Sequence, residues 1–591
     1  MKQFFKFMFA SMLGFILSLV IFIFIIAALI GSAISSASSD ETVIVDKESI
    51  LHITFKQPLQ DRSSDNPFEN FDFTSFKASS QPGINDIIKT IHKAASDPNI
   101  NGIYLDLAGL SGGLASYEEV RNALLKFKES KKFIYAYSDY YTQGSYYVAS
   151  TADQIWVNPS GVVDFRGLSV EMPFLKGLLA KLEVEPQIIR HGKFKSAIEP
   201  FILDKMSDEN RNQVATYVDA FWNHFVQQIS SSRKIEVATL ETMADSLWLQ
   251  TAADALKYKM VDKVGYKDEF LSLLASKTGK STSDDLKMVA LKKYVKVQVK
   301  EEKKEFTRDK IAVIFASGDI TGGRGEKDQI GSESLAETIR KARLDDKVKA
   351  VVLRVNSPGG DALASEVIWR ETMLCKKAKP LVISMGDVAA SGGYYISCAA
   401  DTIVAQPNTI TGSIGVFGVL FNAQKMFNNK LGVTFDSYET GPFANTGTMT
   451  RPLTEAEKTM LQNSVERVYS IFTTRVSEGR QLPLTFVDSI GQGRVWSGVD
   501  ALQLGLVDVL GGLDDAIQIA ARMAKVTNYR ISELPEHKEP FAQFMEDLSG
   551  EMETRYLQFK FGDQLETFRY ASKLLEYKGV QARLPMVIKV D

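Results

Sequence analysis

The sequence predicts an α/β protein made of two tandem copies of one domain, preceded by a transmembrane helix. The first observation is an internal repeat, because residues 83–168 align without a gap with residues 331–416, 248 positions further on. The second is that apolar, β-rich segments alternate with helical segments in both copies, which indicates a mainly parallel sheet. The third is an N-terminal stretch without charge, from Phe7 to Ser39.

The N-terminal stretch is nearly all apolar between Met8 and Ile30. A cleavable signal has an apolar region of about 7–15 residues, whereas a membrane span needs about 20, so an uncleaved anchor is expected. A Ser/Ala-rich run at 32–39 leaves cleavage open as the alternative. Two lysines precede the stretch, and the positive-inside tendency then places the N-terminus in the cytoplasm. Residues 1–39 are therefore predicted to be a single-pass anchor in the cytoplasmic membrane, with the rest of the chain outside.

The repeat and the charge pattern divide the rest of the chain. The predicted parts are a first copy at 40–300, a charged linker at 301–309, a second copy at 310–535 and an appendage at 536–591. Each copy begins with a strand, Ile50–Phe55 in the first and Lys310–Phe315 in the second. The appendage is amphipathic, and its sequence is compatible with covering a core, packing on a neighbouring subunit or lying on the membrane.

The composition excludes several classes of function. A net charge of −3 at pH 7 gives no indication of nucleic-acid binding. The two cysteines, Cys375 and Cys398, both lie in the second copy and are expected to be buried free thiols. No Cys/His spacing fits a metal site, and no metal or cofactor is expected.

A serine in the second copy lies where a nucleophile would be accessible. Pro380–Met385 is predicted to be a buried strand, Gly386–Ala390 a turn, and Ser391 the start of a helix. The free N–H groups of a helix N-terminus favour developing negative charge. The alternative is that Ser391 is only an N-cap residue. A catalytic role is favoured because the aligned position of the first copy is Gln143.

The serine needs a base within hydrogen-bond reach. None of the five histidines lies in the α/β core of the second copy, so a Ser-His-Asp triad has little support. Lys195 of the first copy follows Phe194 in an apolar setting, and burial lowers the pKa of a lysine. Lys193 is the competing base, and a surface position is the alternative for Lys195. An ion pair with Glu199 would keep Lys195 charged and argue against a base.

Acyl transfer also needs N–H donors for the oxyanion. The segment Asn356–Gly360 follows the apolar strand Ala350–Val355, so its glycines are expected at the edge where α/β sheets bind ligands. We predict that the Gly360 N–H and the Ser391 N–H are the donors, with Gly359 as the alternative. Pro-Gly-Gly by itself is more often only a turn.

Together these motifs resemble a known family. They are Asn-Ser-Pro-Gly-Gly at 356–360, Ala-Ala-Ser-Gly-Gly-Tyr at 389–394, Thr-Gly-Ser-Ile-Gly at 411–415 and Phe-Lys-Ser-Ala-Ile-Glu-Pro-Phe at 194–201. The set closely resembles bacterial signal peptide peptidase A in its long two-repeat form, the protease IV type. The resemblance extends from the predicted anchor to about residue 535.

The resemblance implies a serine–lysine dyad, with Ser391 as nucleophile, Lys195 as general base and Ser413 orienting the lysine amine. Spacing alone indicates only a turn serine at Ser413. The resemblance also implies a crotonase-like α/β fold shared with Clp proteases and a homotetramer with active sites facing an apolar interior. The implied substrates are signal peptides left in the membrane after cleavage.

Two apolar stretches are candidates for the substrate-binding face. They are Phe174, Leu175, Leu178 and Leu179 in the first copy, and Val416, Phe417, Val419, Leu420 and Phe421 in the second. For both stretches, a place in the hydrophobic core or in a subunit interface is an equal alternative.

Two other classes of function compete with a protease. One is a non-enzymatic membrane scaffold that retains the fold, and the other is a crotonase-like acyl-CoA enzyme, because one fold hosts several chemistries. Ser391 has no role in acyl-CoA chemistry. A scaffold gives no reason for one copy to keep the serine and the other the lysine.

Overall fold

The computed structural model describes residues 45–55, 58–63, 82–297, 307–326, 328–535 and 580–583, together with parts of 3–21. Within these ranges, no helix has the length and apolar character needed to cross a membrane. The predicted anchor at 1–39 lies largely outside the described residues, as do most of the linker at 301–309 and most of the appendage.

The first copy contains seven of the described strands. They are β1 (Ser49–Thr54), β2 (Ile100–Asp106), β3 (Phe133–Tyr141), β4 (Gln154–Val163), β5 (Glu185–Arg190), β6 (Lys263–Val264) and β7 (Met288–Ala290). Its helices are α1 (Ile84–Ser96), α2 (Leu114–Lys128), α3 (Gln143–Ala149), α4 (Lys176–Leu182), α5 (Glu199–Ile202), α6 (Asp208–Arg233), α7 (Val237–Asp245), α8 (Ala252–Lys257), α9 (Lys267–Lys277) and α10 (Leu291–Tyr294).

The second copy has strands β8 to β19 and helices α11 to α17. The strands are β8 (Lys310–Ser317), β9 (Asp319–Thr321), β10 (Gln329–Gly331), β11 (Val348–Ser357), β12 (Gly359–Asp361), β13 (Leu381–Ala390), β14 (Thr402–Ala405), β15 (Ile410–Gly412), β16 (Phe417–Asn422), β17 (Val495–Ser497), β18 (Val509–Leu510) and β19 (Arg530–Leu534). The helices are α11 (Ser332–Leu344), α12 (Ala362–Ala378), α13 (Gly392–Ser397), α14 (Glu455–Arg480), α15 (Leu484–Ile490), α16 (Gly498–Gln503) and α17 (Leu513–Met523). A final strand, β20 (Val580–Arg583), belongs to the appendage.

Each copy builds a sheet of its own. The first has the strand order β6-β4-β3-β2-β1-β7, and the second has β17-β15-β13-β11-β8-β19 with β14 and β18 attached. The recorded pairings are parallel except for β15 with β17. Helices α1 and α11 begin and end at positions that differ by the same offset as the repeat. The predicted α/β architecture with mainly parallel sheets is confirmed.

Both cysteines behave as the composition predicted. Cys375 and Cys398 are buried and unbonded to each other. Burial raises the pKa of both thiols, to about 11 for Cys375 and to about 12 for Cys398. They are inert members of the core rather than nucleophiles.

A third sheet joins the two copies, and it positions the site. Its order is β10-β9-β12-β20-β16-β5, so β5 of the first copy lies beside β16 of the second. These two strands are antiparallel, with register running from Phe417 opposite Arg190 to Asn422 opposite Glu185. The chain that leaves β5 toward Lys195 is therefore held against the second copy.

A buried charged cluster also connects the copies. The Arg354 guanidinium of the second copy forms ion pairs at 2.7 Å with both Asp61 and Glu119 of the first. Close by, the Asp387 carboxylate accepts hydrogen bonds from the Ser116 N–H and hydroxyl, at 2.9 and 2.5 Å. Arg354, Asp61, Glu119 and Ser116 are buried, and Asp387 is half-buried. Because Asp387 lies in β13, these contacts fix the nucleophile strand relative to the first copy.

Replacing Arg354 with methionine is expected to lower the free energy of unfolding by about 3–5 kcal/mol, because two buried carboxylates lose their counter-charge. The matched control is Arg324→Met, which removes an exposed pair with Glu337 and is expected to cost about 0–1 kcal/mol. Urea unfolding of both variants measures the difference. Equal effects would show that the cluster does not hold the copies together.

Candidate active site

Ser391 lies at the junction between β13 and α13. The prediction of a turn at Gly386–Ala390 is wrong, because β13 continues to Ala390 and its C-terminal end pairs with β15. The strand passes a bulge opposite β11, where Asn356 Oδ1 accepts the Val388 N–H at 3.2 Å. A side chain thus replaces a backbone partner, and the strand can continue where its sequence resembles a loop.

The backbone of Ser391 is strained. Its φ is +55° and its ψ is −114°, a combination that non-glycine residues adopt rarely and mainly at functional sites. Ser391 occupies the N-cap position of α13, but its side chain makes no capping hydrogen bond. The N-cap alternative therefore does not explain this serine, whose hydroxyl is directed elsewhere.

The hydroxyl of Ser391 meets the amine of Lys195. Lys195 Nζ lies 2.9 Å from Ser391 Oγ, 3.0 Å from Ser413 Oγ and 3.4 Å from the Ser413 carbonyl oxygen. All three side chains are fully buried. The structure therefore brings together, within one chain, the three side chains that the sequence and the family resemblance selected.

Burial lowers the pKa of Lys195 well below its usual value. Among the described residues, no carboxylate is a hydrogen-bond partner of the amine, and the ring of Phe417 lies 5.9 Å from Nζ. Glu199 instead accepts hydrogen bonds from Ser207 and from Asn210. A desolvated amine without a counter-ion favours its neutral form, which is the form able to accept a proton.

The competing bases lie elsewhere. Lys193 is exposed. In the described part of the chain, none of the histidines makes a hydrogen bond to Ser391: His191 pairs with Glu466, and His224 pairs with Glu118. His537 is outside the described residues.

The N–H groups around Ser391 differ from the expected arrangement. The Ser391 N–H donates to the Gly412 carbonyl at 2.8 Å, so the prediction that it binds an oxyanion is wrong. It is occupied because β13 pairs with β15 up to the last residue before the serine. Gly360 lies between Ile320 of β9 and Ala582 of β20.

Gly359 and Gly392 lie next to each other at this junction. A Cβ on Gly359 would be 2.6 Å from the Gly392 nitrogen, and the φ of Gly359 is +98°, so only glycine fits. Gly392 is the first residue of α13, and the first N–H groups of a helix have no partner within it. The Gly359 N–H donates to Ser357 Oγ at 3.1 Å.

The residues of the candidate substrate face do not share one environment. Most of its members form core with the segment after Lys195, which supports the core alternative; they are Leu175, Leu179, Phe417, Val419 and Phe421. Val416 and Leu420 instead pack in a cluster with Val580 and Ala582 of β20. Leu178 is exposed.

Two residues that hold the backbone around Lys195 in place were not predicted from the sequence. Gly493 packs against its backbone, since a Cβ there would lie 2.7 Å from both Cα and Cβ of Lys195. Gln213 Nε2 donates to the Phe194 carbonyl and to Ser196 Oγ, on either side of the lysine. The Gly491-Gln492-Gly493 pattern is a turn signal that indicates a close approach for Gly493. Nothing in the sequence around Gln213 indicates its role.

Comparisons with known protein families match both copies of the chain. The model of Peptidase family S49 matches residues 126–280 and 374–527, which are more than half of the chain. The Clp protease model matches residues 302–411. Lys195 lies in the first S49 segment and Ser391 in the second.

Three curated relatives are similar over most of their length. Protease 4 of Salmonella typhi is 38% identical over 520 residues, which cover 86% of this chain and 81% of the relative. Protease 4 of Haemophilus influenzae is 38% identical over 448 residues, covering 74% and 72%. Serine protease SPPA, chloroplastic, of Arabidopsis thaliana is 35% identical over 466 residues, covering 78% and 68%.

The α/β fold, the serine junction and these matches define a serine protease. The chain belongs to Peptidase family S49. The resemblance to the long two-repeat form of signal peptide peptidase A is thereby confirmed.

Proposed function

We propose that this protease hydrolyses peptide bonds with a serine–lysine dyad, in which Ser391 is the nucleophile and Lys195 the general base. The observation that carries the proposal is the 2.9 Å contact between Lys195 Nζ and Ser391 Oγ in a fully buried site. Burial lowers the pKa of the amine and so favours its neutral form, and a neutral amine can take the serine proton.

The dyad accounts for both halves of the reaction. Lys195 takes the proton of Ser391 while Oγ bonds to the carbonyl carbon of the substrate. The protonated amine then gives that proton to the leaving nitrogen, and the peptide C–N bond breaks. In the second half, Lys195 takes a proton from a water molecule that attacks the acyl-enzyme, and the serine hydroxyl is restored. Ser413 orients the amine through its hydroxyl and its carbonyl.

The oxyanion is assigned to backbone N–H groups. The Gly392 N–H at the start of α13 is favoured, because it has no helical partner and the helix dipole attracts negative charge there. Gly359 supplies the second donor, because its N–H donates to the Ser357 hydroxyl, an acceptor that a substrate oxygen can replace. Gly360 is the alternative.

The proposed substrates are signal peptides and other short apolar peptides at the outer face of the cytoplasmic membrane. A relative from Enterococcus faecium, 33% identical over 217 residues, carries the name "Putative signal peptide peptidase SppA". The apolar N-terminal stretch favours a membrane anchor, and the family resemblance favours a homotetramer. We expect a larger kcat/KM for an apolar signal-peptide sequence than for a polar peptide of equal length.

Covalent labelling with a serine-directed probe tests the dyad and separates it from the scaffold and acyl-CoA alternatives. The wild-type chain is expected to carry the probe on Ser391, identified by mass spectrometry of its peptides. Ser391→Ala is expected to lose the label, and Ser334→Ala, at a half-buried position in the first turn of α11, to keep it. Labelling of another serine in both variants would contradict the proposal.

Activity is expected to rise with pH through the lowered pKa of Lys195. The charged amine cannot accept a proton, and its pKa lies well below the usual 10.5, so the rising limb of kcat/KM falls at lower pH than for an exposed lysine. A pH profile with a peptide substrate measures this. Lys193→Ala should leave the profile unchanged, whereas a kcat/KM that decreases between about pH 6 and pH 8 would contradict the assignment.

A further inference from the structure

The two copies cap equivalent helices in different ways. Helix α12 of the second copy has Asp361 at its N-cap position, and the Asp361 carboxylate accepts the Ala364 N–H at 2.7 Å. The equivalent helix of the first copy is α2, which begins 248 positions earlier. Its N-cap residue is Gly113, which has no side chain to accept the corresponding Ser116 N–H. Helix α2 therefore lacks a cap of its own.

A carboxylate of the second copy takes the place of this cap. Asp387 Oδ1 accepts the Ser116 N–H at 2.9 Å, and Asp387 Oδ2 accepts the Ser116 hydroxyl at 2.5 Å. A Cβ on Gly113 would lie 2.1 Å from Asp387 Oδ1, so only glycine leaves room for the carboxylate. The φ of Gly113 is −87°, which any residue can adopt, so the close approach and not the backbone conformation requires the glycine.

Asp387 lies in a bulge of β13, four residues before Ser391. The pairing with β11 passes from Met385 directly to Ala389, so β13 advances by four residues there while β11 advances by two. A bulge bends its strand and changes the direction of the residues that follow it. The position of Ser391 at the end of β13 therefore depends on the conformation of this bulge.

Two of the side-chain contacts that hold the bulge reach into the first copy. One is the contact between Asp387 and Ser116. The other runs through Asn356, whose Oδ1 accepts the Val388 N–H at 3.2 Å and whose Nδ2 donates to Asp61 Oδ2 at 2.7 Å. Because the residues of the bulge have no partner in β11, side chains must supply the partners that fix their conformation.

We propose that Asp387 is a positioning residue for Ser391, and that the first copy sets the direction of the nucleophile strand through Gly113 and Ser116. This inference rests on the proposed function. Helix α2 holds the carboxylate, the carboxylate holds the bulge, and the bulge keeps Ser391 Oγ 2.9 Å from Lys195 Nζ. The first copy thus contributes to the reaction twice, because it supplies the base and aligns the nucleophile.

Replacing Asp387 with alanine is expected to lower kcat about 10–100-fold and to change KM by less than about twofold, because a displaced nucleophile attacks bound substrate poorly. The melting temperature should also fall, because α2 loses its cap. The control is Thr251→Ala, which removes the exposed side-chain cap of α8 in the same copy. It is expected to lower the melting temperature and to leave kcat unchanged.

Steady-state kinetics and thermal unfolding of the full chain measure both effects. A wild-type kcat in Asp387→Ala, with Ser391→Ala inactive, would overturn this inference and leave the proposed function standing. Activity retained by Ser391→Ala would overturn the proposed function itself.

A double variant separates positioning from capping. Asp387→Ala combined with Gly113→Asp returns a carboxylate to the N-cap of α2, at the position where Asp361 caps α12. Room is available, because the three atoms nearest to a Cβ on Gly113 all belong to the carboxyl group that Asp387→Ala removes. The double variant is expected to recover most of the lost melting temperature and none of the lost kcat. Recovery of both would show that Asp387 is only a cap and would overturn the inference.

Gly113→Ala tests the same contact in a chain that keeps Asp387. The new Cβ would lie 2.1 Å from Asp387 Oδ1, so the carboxylate must leave Ser116. We expect kcat to fall about tenfold, because the bulge loses its contact with α2. The control is Gly177→Ala, because a Cβ on Gly177 has no atom within 4 Å. Equal kcat values in the two variants would show that displacing Asp387 does not move Ser391, and would overturn the inference.

Discussion

Replacing Lys195 with methionine is expected to reduce kcat/KM for peptide hydrolysis by about 10⁴–10⁶-fold, the range seen when one member of a catalytic unit is removed. Methionine has nearly the length of lysine and no charge, so it fills the fully buried site without a desolvation cost. Ser391→Ala is expected to have an effect of the same size, and the double variant should lose little more, because the two groups act as one unit.

The matched control for this prediction is Lys193→Ala. Lys193 is two positions from Lys195 but exposed, and its removal is expected to leave most of the activity. Lys195→Arg is a further control, because a guanidinium stays protonated and cannot serve as the base. Activity retained by Lys195→Met, with its folded state verified by circular dichroism, would move the general base to another residue.

Replacing Gly493 with alanine is expected to lower kcat/KM by about 100-fold, although residue 493 takes no part in the chemistry. The new Cβ would lie 2.7 Å from Cα and Cβ of Lys195 and 2.8 Å from its nitrogen. A Cβ does not approach non-bonded atoms that closely, so the backbone of Lys195 must move. A displaced amine no longer reaches Ser391 Oγ at hydrogen-bond distance, and the loss should appear mainly in kcat.

Gly505→Ala is the control for backbone strain. The φ of Gly505 is +73°, close to the +85° of Gly493, but the nearest atom to its Cβ is a leucine methyl group at 3.5 Å. Both variants are therefore expected to lose similar thermal stability, and only Gly493→Ala should lose activity. If the two variants retain equal kcat, the contact between Gly493 and Lys195 does not position the base.

The sequence predicted best those features that depend on residues close to one another in the chain or on the repeat. An offset shared by many residues predicted the repeat, and the helices of the two copies begin and end at that offset. Phe194 and small neighbours distinguished Lys195 from the solvated lysines. The glycines around Ser391 predicted a tight junction between a strand and a helix, and this junction is present.

The predictions that were wrong concern segments whose backbone conformation depends on residues far away in the sequence. Gly386–Ala390 resembles a turn, yet it is strand because Asn356 and β15 supply partners for its backbone. The same pairing occupies the Ser391 N–H. The contact between Gly493 and Lys195 joins residues almost 300 positions apart, so the local glycine pattern indicates a close approach at Gly493 but does not identify Lys195 as its partner.

The sequence by itself determined which residue types are present for acyl transfer, since a serine survives in one copy and an apolar-flanked lysine in the other. The tertiary structure decided that the two meet, because β5 of the first copy pairs with β16 of the second and directs Lys195 to Ser391. It also decided where β20 of the appendage lies, because its main-chain pairing with β12 and β16 depends on backbone edges rather than on side-chain identity.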